Sequence, residues 1–278
     1  MDASKQQAIV TGASSGLGGQ IARALARRGV DVVVVARRQK RLEVLASEIR
    51  RDTGVNVIVM PADLGESDGP KKLFDAVEAA GLQIDILVNN AGLGLFGPFL
   101  KQSFEQINQM IALNIGATTA LTRLFLPAMK KRKSGYILDV SSFAALQPIP
   151  DYSVYSGTKA FIVAFAQALR HELRSTGVSV SVVAPGFMQT EFHDVAHHQK
   201  TLLMKMSTVP VRYTARKAVA GMFRRKLLIT PGPLYQFNSL MVRLLPRRIV
   251  SGIAAATVGG KRIKPAVDAP KISANEPR

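Results

Sequence analysis

The chain contains no cysteine. That absence excludes disulfide bonds, thiolate nucleophiles and cysteine-ligated zinc together, and it permits a reducing compartment. Acidic residues are scarce as well: 19 Asp and Glu stand against 37 Lys and Arg, a formal net charge of +18. Long apolar runs are missing. The N-terminal "MDASKQQAIVTG" has neither an extended apolar stretch nor a basic region leading into one, so no signal peptide is expected. Elsewhere, uncharged stretches such as "LLITPGPLYQFNSLMV" are broken by proline and fall short of the roughly 20 apolar residues that cross a bilayer. The expectation is a soluble, cytoplasmic protein, with association at a membrane surface left open.

What is present is the composition of a packed globule. With 278 residues, 47% of them hydrophobic, the chain is long enough for one large domain or two small ones. Its charge is unevenly placed. From Lys200 to Arg278, sixteen Lys and Arg face two acids, Asp268 and Glu276, so +14 of the +18 lies in the last 79 residues. Such a cationic third can meet anionic lipid, nucleic acid or a phosphorylated cofactor, or it can be a solvated face.

Runs rich in Val and Ile alternate with helix-like segments. That rhythm reads as strands buried on both faces and joined by helical crossovers, a doubly wound parallel α/β sheet in one domain. Strands are predicted at "QAIVTG", "VDVVVVA", "NVIVMPA", "IDILVNN", "GYILDVSS" and "VSVSVVAPG". Helices are predicted over 17–28, 39–52, 67–80, 101–132 and 152–176, then near 214–225, with a short strand near 226–230. The domain is placed at 1–230, a basic amphipathic C-terminal extension at 231–264 and a disordered tail at 265–278.

The first strand runs into "TGASSGLGGQIARAL", with Gly12, Gly16 and Gly18 at the strand-to-helix turn and Ser14, Ser15 and Leu17 between them. Without Cβ atoms, backbone amides can approach a pyrophosphate, and the helix N-terminus favours its charge. The second strand ends in "VVVVARRQKR". Ala36 stands where an acidic residue commonly holds an unphosphorylated ribose, and Arg37 and Arg38 follow. Guanidinium groups bind a 2′-phosphate through charge-assisted hydrogen bonds, so NADP(H) is preferred over NAD(H). Asp63, after the third strand, either accepts from an adenine amino group or caps the next helix.

In "DYSVYSGTKA" a helical spacing of four pairs Tyr155 with Lys159, whereas Tyr152 meets only Ser156. A phenol near pKa 10 is a poor proton carrier at neutral pH, and a neighbouring ammonium is expected to lower that value. Tyr155 is therefore the candidate for moving a proton.

Taken in order, Thr11-Gly12-x-x-x-Gly16-x-Gly18, Asn89-Asn90-Ala91-Gly92, Asn114, Ser142, Tyr155-x-x-x-Lys159 and Pro185-Gly186 resemble the short-chain dehydrogenase/reductase family over roughly residues 6 to 195. The resemblance implies a Rossmann fold and hydride transfer between a nicotinamide and a carbonyl or secondary alcohol. It implies Tyr155 as general acid/base, Lys159 lowering its pKa and holding the nicotinamide ribose, and Ser142 hydrogen-bonding the reacting oxygen. Asn114 would position a water that links Lys159 to solvent. Asn90, Ala91 and Gly92 would line the adenosine side, and Pro185, Gly186 and Thr190 would close over the nicotinamide. Ser141 is expected to end the strand structurally. Asp139 stands where family members often carry Asn, outside the expected proton path.

Other signals are set aside. His193 and His197 are four apart, but they fall in the segment that the resemblance makes a mobile lid, so no metal is expected. No nucleic-acid module accompanies the basic residues. Leu234, Phe237, Leu240, Met241, Leu244 and Leu245 recur at helical spacing beside Arg243, Arg247 and Arg248. This segment can cover the cleft, pair with another subunit in a dimer or tetramer, or lie on an anionic membrane. The reading is an NADP(H)-dependent oxidoreductase acting on a small carbonyl or alcohol. A 3-oxoacyl or steroid reductase within the family and a catalytically idle nucleotide-binding or membrane-associated adaptor on the same scaffold stand as alternatives.

Overall fold

The computed structural model describes residues 5–189, 207–246, 249, 250 and 252. Seven strands form one parallel sheet: β1 (Gln7–Thr11), β2 (Asp31–Ala36), β3 (Val57–Pro61), β4 (Ile86–Asn89), β5 (Gly135–Val140), β6 (Val178–Val183) and β7 (Leu228–Ile229). Their order is β3-β2-β1-β4-β5-β6-β7, so the winding reverses between β1 and β4. At such a switch point the loops leaving the carboxyl ends of the strands diverge and leave a crevice.

Among the described residues the α-helices are α1 (Gly16–Ala26), α2 (Gln39–Thr53), α3 (Gly69–Ala79), α4 (Phe104–Ile111), α5 (Thr118–Arg132), α6 (Ser153–Glu172), α7 (Val211–Phe223) and α8 (Pro233–Leu244). Alternation along β2 shows why the sheet needs helices on both sides. Val32 and Val34 pack with Ile21, Leu25, Leu42 and Met222 of α1, α2 and α7. Val33 and Val35 pack with Leu73, Leu121, Phe125 and Leu169 of α3, α5 and α6. Successive side chains point to opposite faces, and each large one buried contributes about 1.5–3 kcal/mol.

The single helix predicted over 101–132 is continuous but not uniform, because α4 and α5 are joined by a π-helical turn, Ala112–Ala117. By length and composition the run Phe104–Arg132 is long and apolar enough to cross a membrane, which the sequence reading did not anticipate. Leu121, Phe125 and Met129 of this run are packed into the core against the sheet.

Candidate active site

The glycine loop and the segment after β4 are built as one unit. Thr11 Oγ1 donates to the Val88 carbonyl at 3.1 Å and accepts from the Asn90 and Ala91 amides at 2.9 and 3.0 Å. Asn90 Nδ2 donates to the carbonyls of Thr11 and Gly12 at 2.9 and 3.2 Å. Gly12 has φ +65, and a Cβ there would lie 2.8 Å from Asn90 Nδ2 and 2.9 Å from Ala91 Cα. Conformation and close approach both require glycine at this position.

α1 then opens without a side-chain cap and with no acid in its first turn, so its leading amides are directed at the crevice unneutralised. Arg38 crosses to the same loop, donating to Ser14 Oγ from Nε and Nη2 at 3.2 and 3.1 Å and to Ser15 Oγ from Nη2 at 3.0 Å. Asp63 takes the amide of Gly65 at 2.9 Å and the Arg37 guanidinium at 3.5 Å. It does not cap α3, whose N-cap is Asp68. Amides, two hydroxyls and two guanidinium groups make a donor set suited to phosphate oxygens, and the carboxylate of Asp63 is already engaged. The residues present therefore fit a phosphorylated dinucleotide.

At the other end of the same cleft, which encloses about 430 Å³, lie Ser142, Tyr155 and Lys159. Ser142 lines the cleft with Tyr155 and favours its phenolate, while its Oγ accepts from the Ala144 amide at 3.2 Å. Lys159 Nζ donates to the Val140 carbonyl at 3.0 Å and stands 5.9 Å from the centre of the Tyr155 ring. Ser141 Oγ donates to the Lys159 carbonyl at 2.7 Å, tying the end of β5 to α6, so this serine serves the structure as expected.

The expected pKa of Tyr155 is corrected. Burial pushes its phenol up to about 12, and only the Ser142 hydrogen bond pulls the other way. Spacing supplies the lysine but says nothing of the water lost around the ring, and that loss dominates. Burial likewise pushes Lys159 down to about 8, opposed by the carboxylate of Asp139. Asp139 is pushed up to about 7 by burial, with the Asn89 hydrogen bond and the charge of Lys159 acting against it. Asp139 therefore acts on Lys159 through its charge, and as a buried carboxylate it has the partner it needs, Asn89. Tyr152 is buried beside Tyr155 with ring centres 5.6 Å apart, and burial raises its phenol too.

Asn114 sits in the π-helical turn. Its Oδ1 accepts from the Leu93 amide at 2.9 Å, and its Nδ2 donates to the Leu93 carbonyl at 2.9 Å and to Thr158 Oγ1 at 3.0 Å. A Cβ on Gly92 would lie 3.0 Å from Asn114 Oδ1 and 3.3 Å from Lys159 Nζ, so both polar atoms converge on this glycine. π-Helical turns recur at functional sites because the extra residue re-aims one side chain.

Pro185 and Gly186 also line the cleft. Thr190, His193, His197 and His198 lie outside the described residues, as do Arg247 and Arg248. Among the described residues, no group of three or more His, Asp or Glu is placed to hold a metal. Sequence reasoning missed Tyr235. Its ring packs on Gly186, its hydroxyl accepts from the Phe187 amide at 2.9 Å, and it meets Phe143 edge-on at 5.1 Å. Asn89, part of the Asn-Asn-Ala-Gly motif but given no role there, donates from Nδ2 to Thr122 Oγ1 at 3.1 Å and to Asp139 Oδ1 at 2.8 Å.

The chain is 38% identical over 187 residues to the human 17-beta-hydroxysteroid dehydrogenase type 3, spanning 66% of this chain and 60% of that protein. It is 32% identical over 253 residues to the very-long-chain 3-oxoacyl-CoA reductase of Mus musculus, spanning 89% and 79%. The chain thus covers about three fifths of the length of several curated relatives it matches. A solved short-chain dehydrogenase from Sphingobium yanoikuyae in complex with NADPH superposes with a TM-score of 0.77 at 31% identity, covering 86% of this chain and 93% of that one. The short chain dehydrogenase profile matches residues 6–201, and the chain belongs to that family of oxidoreductases.

Proposed function

We propose that the chain uses NADPH to reduce a ketone carried on an apolar molecule, with Tyr155 as the proton donor. The observation that carries this reading is that Ser142, Tyr155 and Lys159 line the same cleft as Arg38 and the glycine loop. The wall around Tyr155 is apolar, formed by Leu93, Ile149, Tyr152, Phe143 and Phe187. Two relatives named for a hydroxysteroid and a 3-oxoacyl thioester point to the same class of substrate.

A bound nicotinamide supplies the hydride, and the remaining work falls to residues of this chain. Ser142 and Tyr155 hydrogen-bond the carbonyl oxygen together and favour the charge that develops on it. Tyr155, protonated at neutral pH, releases its proton to that oxygen. Lys159 stands beside the ring to offset the phenolate left behind and to hold the cofactor ribose, while Asn114 keeps the Leu93 backbone against it and orders a water for proton return. Arg37 and Arg38 hold the 2′-phosphate. Asn90, Ala91 and Gly92 would border the adenosine, and Pro185 and Gly186 the nicotinamide.

The protein works in the cytoplasm, in association with a membrane surface, as a homo-oligomer, and Leu100, Phe104 and Ile111 are exposed apolar side chains open to a second copy. The test is cofactor absorbance with purified protein and a carbonyl panel that includes a 17-ketosteroid and a 3-oxoacyl thioester. Turnover of at least one carbonyl, faster with NADPH than with NADH, is expected. No turnover of any carbonyl with either cofactor would defeat the reading.

A further inference from the structure

The outer face of α8 takes no part in the site. Tyr235 and Val242 turn inward, to Phe143 and the segment after β6. Leu234, Phe237, Leu240 and Leu244 project on the opposite side, with Phe237 60% and Leu244 68% exposed, whereas Tyr235 is 4% exposed. On a 3.6-residue period these four form one stripe, and Ile249 beyond the helix is exposed as well. Scattered exposed apolar residues are ordinary, but a stripe of large ones on a single helix marks a surface with a partner.

The sequence around α8 indicates the chemistry of that partner. Between Asp194 and Asp268 there is no acidic residue, and the same run contains fourteen Lys and Arg. A second copy would bring charge of the same sign against this one. A nucleic acid would satisfy the cations and leave the leucines and phenylalanine in water. An anionic bilayer satisfies both, accepting the apolar stripe below the headgroups and the cations among them.

We propose that the outer face of α8 lies in the interfacial layer of an anionic membrane, so that the cleft closed by Tyr235 opens beside the bilayer. The helix carries both surfaces: Leu234 and Phe237 flank Tyr235 in sequence on the outer side, while the Tyr235 hydroxyl accepts from the Phe187 amide at the cleft wall. An apolar ketone dissolved among the acyl chains then reaches Tyr155 with little exposure to water. This last step rests on the reductase reading; the docking surface does not.

The test is co-sedimentation of the full chain with vesicles of phosphatidylcholine alone and of phosphatidylcholine mixed with phosphatidylserine, at low and high salt. The wild type is expected to sediment with the mixed vesicles and less so at high salt. F237S/L244S, which alters two exposed side chains, is expected to partition at least about tenfold more weakly with unchanged thermal unfolding. Absence of wild-type binding to mixed vesicles overturns the proposal. So does equal binding of the double variant, because charge alone then accounts for it. A wild-type dimer in light scattering that F237S/L244S dissolves, with no vesicle binding by the wild type, assigns the face to a second copy instead. Intact vesicle binding with no turnover of any carbonyl would remove the reductase reading and leave the docking surface standing.

Discussion

Asp139 and Lys159 are both buried, and each moves the other's titration toward its charged form while burial drives both toward neutrality. The native carboxyl of Asp139, near 7, keeps its proton across a range where an unfolded aspartate, near 3.8, has lost it. Folding therefore takes up a proton in that window, and this group's contribution to stability falls as pH rises from about 4 to about 7. Asp139→Asn removes that loss. The stability of the variant relative to the wild type is expected to climb over the same window, at up to about 1.4 kcal/mol per pH unit. Urea unfolding at several pH values reads the difference directly, and parallel profiles for the two proteins would contradict the buried, raised carboxyl.

Arg38 tests cofactor choice. Its guanidinium is fixed by Ser14 and Ser15, so a phosphate at the end of β2 meets a pre-positioned donor. Charge-assisted hydrogen bonds contribute about 1.5–3 kcal/mol each, so Arg38→Ala is expected to weaken NADPH binding by roughly tenfold to a hundredfold. NADH binding should change little. Fluorescence titration of both reduced cofactors measures the pair, and equal losses for both would refute phosphate recognition by this residue.

Gly186 and Tyr235 are expected to be thermodynamically coupled. A Cβ at position 186 would lie 1.9 Å from Tyr235 Cζ, so Gly186→Ala displaces the ring and with it the start of α8. Removing the ring first makes room. In a double-mutant cycle on thermal unfolding, Gly186→Ala should cost less in the Tyr235→Ala background, with a coupling of about 0.5–3 kcal/mol. Additive losses would mean that the ring does not occupy this place.

Direction of reaction should follow the phenol. With Tyr155 pushed up to about 12 by burial, the protonated donor needed for carbonyl reduction dominates at neutral pH, and the phenolate needed for alcohol oxidation is rare. Oxidation rates are thus expected to rise with pH between about 6 and 9 while reduction rates do not rise. Initial rates in both directions across that range provide the measurement, and oxidation that stays flat would contradict a raised phenol.

Much of this protein was legible in its sequence, for physical reasons that particular residues show. "VVVV" in β2 can only serve a strand buried on both faces, and its alternate valines do enter opposite cores. Gly12 announced a turn because no other residue suits both its φ and its contact with Asn90. The failures arise where tertiary contact decides. Helical spacing put Lys159 beside Tyr155 yet gave the wrong direction for the phenol, since desolvation is a property of the whole fold. The side chain of Asn114 is held by both backbone groups of Leu93, 21 residues away, a tertiary contact that leaves no local signal. Tyr235 escaped because a search for an apolar helical stripe follows Leu234, Phe237 and Leu244, and this tyrosine stands on the opposite face of α8.

The central claim is that one phenol carries the proton, and Tyr155→Phe tests it with a change of a single oxygen atom. Turnover of whichever ketone the wild type reduces should fall by about 10² to 10⁴-fold, with NADPH affinity kept within a few fold. A Tyr155→Phe enzyme that binds NADPH and reduces the same ketone at the wild-type rate would show that the proton comes from elsewhere.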